Sequence, residues 1–250
     1  MDQLSENRTI IRLEETESTN QYLKKLVREQ HPEEGSMVIA EYQTEGRGQM
    51  GNAWFSSKGD NLLFSFVLYP KGVAAKDQFM LSRITSLAIK STLDHYADDI
   101  RIKWPNDVYW MDKKIAGILI ENDLQGDSIQ NSVIGIGINL NQQIFPAELP
   151  NPVSLRQITA TKYDKEQFLD LFLHEFFQLY RSLQNGQTSE IEDEYMLDLY
   201  RVNGYYWFED ANGRFQAKID NVLPSGHLVL KTFDNEEERT YAFKEVQFVV

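Results

Sequence analysis

There is no cysteine among the 250 residues. That excludes disulfides, thiolate metal sites and a thiol nucleophile. Histidine is almost as scarce: His31, His95, His174 and His227 lie far apart and show no metal-ligand spacing, so a zinc site is not expected. Long apolar runs are missing too. None approaches the roughly 18 residues of a membrane span, and the opening MDQLSENRTIIRLEE is polar, without the apolar segment of a signal peptide. The expectation is a soluble cytoplasmic protein with no membrane partner. Positive charge is in short supply: 25 Lys and Arg face 38 Asp and Glu, a net charge of −13. Nucleic acid is therefore not expected as a partner, because phosphate binding needs a basic excess. No repeat or low-complexity segment stands out, and Glu236-Glu237-Glu238 reads as a solvated turn.

What is present suffices for a sizeable core, with 42% apolar residues, in one large domain or in a medium and a small one. Residues 10–15 read as a strand, and Ser18-Thr19-Asn20 offers N-cap side chains to a helix carrying Tyr22, Leu23, Leu26 and Val27. Residues 37–43 and 62–69 read as strands around a polar, Gly-rich loop, and 76–96 as a helix. Further strands fall at 100–104, 115–121 and 129–139. Phe168, Leu171, Phe172, Phe176, Leu179, Tyr180 and Leu183 repeat with a 3.6-residue period, the signature of an amphipathic helix, and a second helix covers 190–201. After Asn203 the pattern changes to short strands at 205–210, 215–222, 227–233 and 239–243, with turns at Asn212-Gly213 and Pro224-Ser225-Gly226. This divides the chain into a mixed α/β domain over 1–202 and a small all-β, barrel-like domain over 203–250.

Four segments carry chemistry. Gly46-Arg47-Gly48-Gln49-Met50-Gly51 matches the G-x-G-x-x-G pattern after a strand. A dinucleotide fingerprint must open a helix, and the following Asn52 to Asn61, rich in turn formers, has no helical period. The glycines would instead let backbone N–H groups approach an anion, with Arg47 as a positive fork for a carboxylate or phosphate; a plain surface loop is the alternative. Lys103-Trp104-Pro105-Asn106-Asp107 packs a lysine, an amide and a carboxylate into five residues, although Asn106-Asp107 alone could be an ordinary turn. Lys113-Lys114-Ile115-Ala116-Gly117-Ile118-Leu119 starts an apolar strand with a lysine, either a ligand or a solvated strand end. Gly135-Ile136-Gly137-Ile138-Asn139 puts two glycines on one face of a strand, marking either close approach of another group or a bulge.

Their order is more specific than any one of them. Glu17-Ser18-Thr19-Asn20, Ala40-Glu41-Tyr42-Gln43, GRGQMG followed by Trp54, KWPND, KKIAGIL and GIGIN together resemble the biotin protein ligase family over residues 10–142. The resemblance fades through the later helices and returns as a strand pattern in 203–250. It implies an α+β fold: a mixed β-sheet packed by helices in a class II synthetase-like catalytic domain, followed by a small SH3-like β-barrel. It implies a two-step reaction in which ATP, with Mg²⁺, activates biotin to biotinyl-5'-AMP, and a lysine of a biotin carboxyl carrier protein or domain then takes the biotin. It leaves a homodimer open.

By the same resemblance, Arg47, Lys114 and Asp107 are the catalytic candidates: two cations at the reacting anions, and a carboxylate that orients or deprotonates the acceptor lysine. Ser18, Thr19, Asn20, Gln43, Gly46, Arg47, Gly48, Gln49, Lys114 and Gly117 fall on the biotin side. Trp54, Asn106 and Asn139 join Arg47 and Lys114 on the nucleotide side. The sequence departs from the family at Gln49, where many members carry a second arginine. A lipoate or octanoate ligase of the same superfamily is the nearest alternative. The octanoyltransferases use a cysteine, absent here, and the Arg-rich, triple-glycine, His-Asp segment usual in lipoate ligases is not found. A ligand-sensing transcription factor is disfavoured because only 17 residues precede Ser18, too few for a helix-turn-helix module. A binding protein without activity is disfavoured by the presence of Arg47, Asn106, Asp107 and Lys114 together.

Overall fold

A computed structural model describes residues 8–249. Seven strands form one mixed sheet in the order β1-β2-β3-β7-β6-β5-β4. They are β1 (Ile10–Leu13), β2 (Met37–Ala40), β3 (Leu62–Leu68), β4 (Ile100–Lys103), β5 (Asp107–Trp110), β6 (Lys113–Gln125) and β7 (Ser128–Ile138). β1 and β2 run parallel, and the other neighbours pair antiparallel. The apolar run of β3 is explained by burial on both faces. Phe64, Phe66 and Leu68 point into the large core, whereas Val67 belongs to a smaller cluster with Leu23, Val27, Val38 and Val133.

Helices cover both faces. α1 (Thr19–Gln30) closes the smaller cluster, and α2 (Phe79–Asp94) and α4 (Lys165–Gln184) pack together over the larger. The 3.6-residue period of α4 delivers Phe172 and Phe176 edge-on against Phe66. Its start is fixed by Asp164, whose carboxylate accepts from the N–H groups of Glu166 and Gln167. Ser18 occupies the N-cap position of α1 in extended conformation, but its side chain makes no cap bond. The sequence suggested a capping role; the buried hydroxyl is instead left for the cleft described below.

Helices α3 (Leu155–Thr159) and α5 (Thr188–Leu197) complete this part. The later strands β8 (Tyr206–Asp210), β9 (Gly213–Val222), β10 (Leu228–Thr232), β11 (Glu238–Tyr241) and β12 (Val246–Phe248) form a separate antiparallel sheet in the order β11-β10-β9-β8-β12. It is tied to the first part at named points. The Trp104 indole donates to the Gly226 carbonyl at 2.8 Å. Arg83, almost fully buried, donates to the Val222 carbonyl at 2.6 Å and pairs with Glu192, with the rings of Phe79 and Tyr195 against its guanidinium. Among the described residues no helix is long and apolar enough to cross a membrane.

Three elements escaped the sequence reading. β5 hides in what looked like a turn after Pro105, and α3 and β12 are too short to show a period. The GRGQMG segment does not open an α-helix. Arg47 bridges to Ala53, and Gln49–Gly51 makes one 3₁₀ turn, with Met50 and Gly51 at positive φ. This removes the dinucleotide-fingerprint alternative.

Phe172 is fully buried between Phe64, Phe66 and Phe176. Phe172→Ala is expected to lower unfolding free energy by about 3–5 kcal/mol, the usual cost of deleting a buried ring. Urea titration checks this; a loss below about 1 kcal/mol would show that the helix–sheet interface tolerates the cavity.

Candidate active site

A cleft of about 360 Å³ opens on the face of the sheet that carries α1, between the start of that helix, the GRGQMG loop, the KWPND segment and the edge of the second sheet. It brings together Ser18, Thr19, Asn20, Gln43, Arg47, Gly48, Gln49, Trp54, Asn106, Asp107, Lys114 and Gly117. These positions span nearly 100 residues of sequence and meet because β6 and β7 lie beside β3 in one sheet.

One end of the cleft is polar and internally hydrogen-bonded. Gln43 Oε1 accepts from the Thr19 backbone N–H at 2.8 Å and lies 3.1 Å from the Thr19 hydroxyl. Ser65, wholly buried on β3, places its hydroxyl 2.7 Å from Thr19 Oγ1 and 2.6 Å from Asn20 Oδ1. Asn20 Nδ2 donates to the Leu119 carbonyl at 3.2 Å and to Glu121 at 3.0 Å, and Lys24 pairs with Glu121 at 2.7 Å. A Cβ at Gly135 would collide with the Asn20 amide, so that glycine is what lets α1 approach β7 here.

The middle is built on two more glycines. Gly117 and Gly137 are register partners across β6 and β7, with no bulge at either. Trp54 lies over both: a Cβ at Gly117 would stand 2.8 Å from Trp54 Cζ3, and one at Gly137 would enter the indole. The close approach is therefore by a side chain of the neighbouring loop, and the bulge alternative is excluded. Trp54 Nε1 is buried without a hydrogen-bond partner among the described residues.

At the charged end, Lys114 Nζ stands 2.7 Å from Asp107 Oδ1 and 5.5 Å from the Trp54 ring centroid. The lysine is thus a cleft group and not a solvated strand end. Asn106 donates to the Ile118 carbonyl at 2.6 Å, locking the KWPND turn onto β6. Arg47 is half exposed; both terminal nitrogens reach the Gln21 side-chain carbonyl at 2.6 and 2.5 Å, and Glu45 lies 3.8 Å away. Gln49 faces the cleft, with its buried Oε1 unpartnered among the described residues.

Two candidates are not on the cleft wall. Asn139 is buried beneath it, with Nδ2 3.5 Å from the Lys114 carbonyl and its own N–H on the Ile115 carbonyl. It lies behind Lys114 because the end of β7 pairs antiparallel beside the start of β6. Gly46 faces the Trp54 carbonyl, where a Cβ would collide, so it shapes the loop from behind.

Other cleft residues gave no separate signal. Lys103 carried no role beyond its place in KWPND, yet its ammonium donates to the Tyr109 hydroxyl at 3.0 Å and sits 4.5 Å from the Tyr109 ring centroid and 5.5 Å from that of Phe248. Burial holds the Lys103 pKa below the usual lysine value, against the opposing pull of Asp107. Burial likewise raises the Tyr109 pKa. Phe248 on β12 and Phe243 and Lys244 in the turn before it come from the second module, and Lys244 Nζ donates to the Met50 carbonyl at 2.9 Å. Nothing in one sequence shows that a module about 200 residues away supplies this wall. Ser65 and Glu121 lie behind the cleft and could not be told from strand residues.

A family model described as Biotin/lipoate A/B protein ligase family matches residues 13–139. The chain belongs to this family. It is 32% identical over 206 residues to the bifunctional ligase/repressor BirA of Bacillus subtilis, an alignment covering 80% of this chain and 62% of that protein. It is 30% identical over 202 residues to the biotin–[acetyl-CoA-carboxylase] ligase of Paracoccus denitrificans, covering 78% of this chain and 83% of that one. The chain thus spans less than two thirds of the bifunctional relatives it matches. Among solved structures, the biotin protein ligase from Aquifex aeolicus in complex with biotin and ATP superposes with a TM-score of 0.79 at 25% identity, over 96% of this chain and 99% of that one.

For this family member the glycine pair sets a test. Gly137→Ala is expected to push the indole off the strands and to cost roughly 1–3 kcal/mol of stability, the typical penalty of overpacking. A change in tryptophan emission that disappears in a Trp54→Phe background would report the displacement. Unaltered emission with unaltered stability would show that Trp54 does not rest on Gly137.

Proposed function

We propose that the chain is an ATP-dependent biotin protein ligase. The observation that carries this is the superposition, over nearly all of both chains, on the Aquifex aeolicus biotin protein ligase in complex with biotin and ATP. A polar end and a cationic end share one cleft, as a reaction joining a small carboxylic acid to a nucleotide requires.

In the proposed reaction a biotin carboxylate oxygen attacks the ATP α-phosphate and pyrophosphate leaves. The acceptor lysine amine then attacks the carbonyl of biotinyl-5'-AMP and AMP leaves. The first step brings two anions together, with a repulsion at 4 Å of about 1 kcal/mol in water and about 4 kcal/mol at a protein-surface dielectric. Lys114 opposes this repulsion from a fixed position held by Asp107 and Trp54. Arg47 adds a fork that must leave Gln21 to reach a phosphate. Asp107, beside Lys114, is the carboxylate suited to orient the incoming amine. Trp54, Asn106 and Lys114 form the nucleotide side, with Ser18, Thr19, Asn20 and Gln43 at the biotin side. Gly46, Gly48 and Gln49 shape the loop between them, and Asn139 supports Lys114 from beneath.

Among the described residues no three His, Asp or Glu stand close enough to cage a metal ion. We therefore assign Mg²⁺ no protein cage; it would enter on the nucleotide phosphates, which suits an ion that keeps much of its water. The acceptor is a biotin carboxyl carrier domain, in the cytoplasm. We place the boundary between the catalytic and C-terminal domains at 202/203.

ATP–pyrophosphate exchange is expected to require biotin and to reject lipoate. A site whose buried donors and acceptors go unpaired can discriminate by ~10⁴–10⁵-fold. Exchange of comparable rate with lipoate would transfer the assignment to the lipoate branch.

Lys114→Ala is expected to slow adenylation by ~10²–10³-fold, as for loss of one charge-stabilising donor. Preformed biotinyl-5'-AMP should restore much of the transfer. Normal adenylate formation by the variant would remove Lys114 from the first step.

A further inference from the structure

The polar end of the cleft has a hydrogen-bond direction that its own atoms dictate. At one limit stands the Thr19 backbone N–H, which can only donate; Gln43 Oε1 receives it, so Gln43 Nε2 must turn its two N–H groups elsewhere. At the other limit stand the Leu119 carbonyl and the Glu121 carboxylate, which only accept. They take Asn20 Nδ2, so Asn20 Oδ1 must face a donor, and the donor in reach is Ser65. Between these limits are two hydroxyls, Ser65 and Thr19, 2.7 Å apart. With the Ser65 proton on Asn20, Thr19 donates to Ser65. A second acceptor for Thr19, Gln43 Oε1, is longer at 3.1 Å and already holds the Thr19 N–H. With either acceptor the Thr19 proton is spent inside the protein, and only its lone pairs are left for the cleft.

We infer that Ser65 is a positioning residue that commits Thr19 to accept and Gln43 to donate, so that this end of the cleft recognises a ligand edge carrying an N–H beside a C=O. Ser65 touches no ligand, being wholly buried and behind Thr19 and Asn20. Glu121 and Lys24 anchor the relay from the surface side, with 34% and 25% of their side-chain area exposed. Gly135 holds the register, because any Cβ there would displace the Asn20 amide. The matching edge is that of a cyclic urea or lactam. A dithiolane ring and an alkyl chain have neither group, and both would leave Gln43 and Thr19 unpaired in a closed site. The inference rests on the biotin ligase reading and deepens it.

The test uses ATP–pyrophosphate exchange by the full chain with two probes, biotin and biotin methylated on its ureido nitrogens, which cannot donate. In Ser65→Ala the KM for biotin should rise on the order of tenfold or more, as expected when a buried partner is left unsatisfied. The KM for ATP and the kcat at saturating biotin should hold. Wild type should prefer biotin over the methylated probe strongly, and Ser65→Ala should narrow that ratio because Thr19 then keeps only the longer contact to the already engaged Gln43 Oε1 and can turn its proton outward. Ser65→Thr, which restores a hydroxyl, should recover the preference. Glu121→Leu, at a partly exposed position, provides a second break in the relay should Ser65→Ala fold poorly, and should give the same signature. An unchanged biotin KM, or an equal loss with both probes that Ser65→Thr does not rescue, would overturn the inference. Absence of biotin-dependent exchange in wild type would instead overturn the functional reading. The relay would then be judged by NMR of the free protein. A Thr19 hydroxyl proton protected from solvent exchange in wild type and lost in Ser65→Ala supports it, and a freely exchanging wild-type proton refutes it.

Discussion

The cleft depends on Trp54 lying across Gly117 and Gly137, two residues that face one another on adjacent strands. Side chains normally stand above a sheet and keep other groups at a distance. Two register-paired glycines open a shallow floor, and the indole fills it. Because Trp54 stands three residues after Gly51, this contact also ties the GRGQMG loop to the sheet. Lys114 then has an aromatic face on one side and the Asp107 carboxylate on the other, which fixes a long, flexible side chain that would otherwise roam.

Around this floor the chain divides its electrostatics. The acid-rich composition would repel nucleotides if charge were evenly spread, yet Lys103, Lys114, Arg47 and Lys244 all line the cleft. A cleft lined with one sign of charge can draw anions despite an opposing net charge. Asp107 sits among these cations, paired with Lys114 and close enough to Lys103 to oppose the lowering that burial imposes on its pKa. The opposite end carries no net charge at its wall and works through directed hydrogen bonds, with the ionic pair of Glu121 and Lys24 kept outside. One end therefore suits charge that develops during reaction, and the other suits a neutral edge that must be told from its analogues.

The second sheet belongs to the same arrangement. Phe243, Lys244 and Phe248 wall the cleft, and Lys244 reaches the Met50 carbonyl on the loop. Its position is held by two buried groups, Trp104 on Gly226 beside the cleft and Arg83 on Val222 away from it. Trp104 stands next to Lys103, so the segment that brings a cation to the cleft also fastens the wall opposite.

The sequence by itself determined the element types and the residue chemistry. Local rules governed these: the 3.6-residue period of α4, the apolar β3, the Asn-Gly and Pro-Ser-Gly turns of the later strands, and a run of motifs specific enough to name a family. It marked Gly135 and Gly137 as sites of close approach without showing what approaches, and placed Gly117 at the site only through the family resemblance. Only the tertiary structure decided that Trp54 rests on two of these glycines and Asn20 on the third, and that Asn139 lies beneath the cleft. It also decided that Ser18 keeps its hydroxyl from capping, that Lys103 is buried between Tyr109 and Phe248, and that Ser65 ties Thr19 to Asn20. The reason is physical. A backbone period or a turn depends on neighbours in sequence, whereas these contacts depend on which strands lie side by side and on the face to which each side chain turns. A strand reverses that face at every residue, and pairing between segments far apart in the chain decides which face meets the cleft.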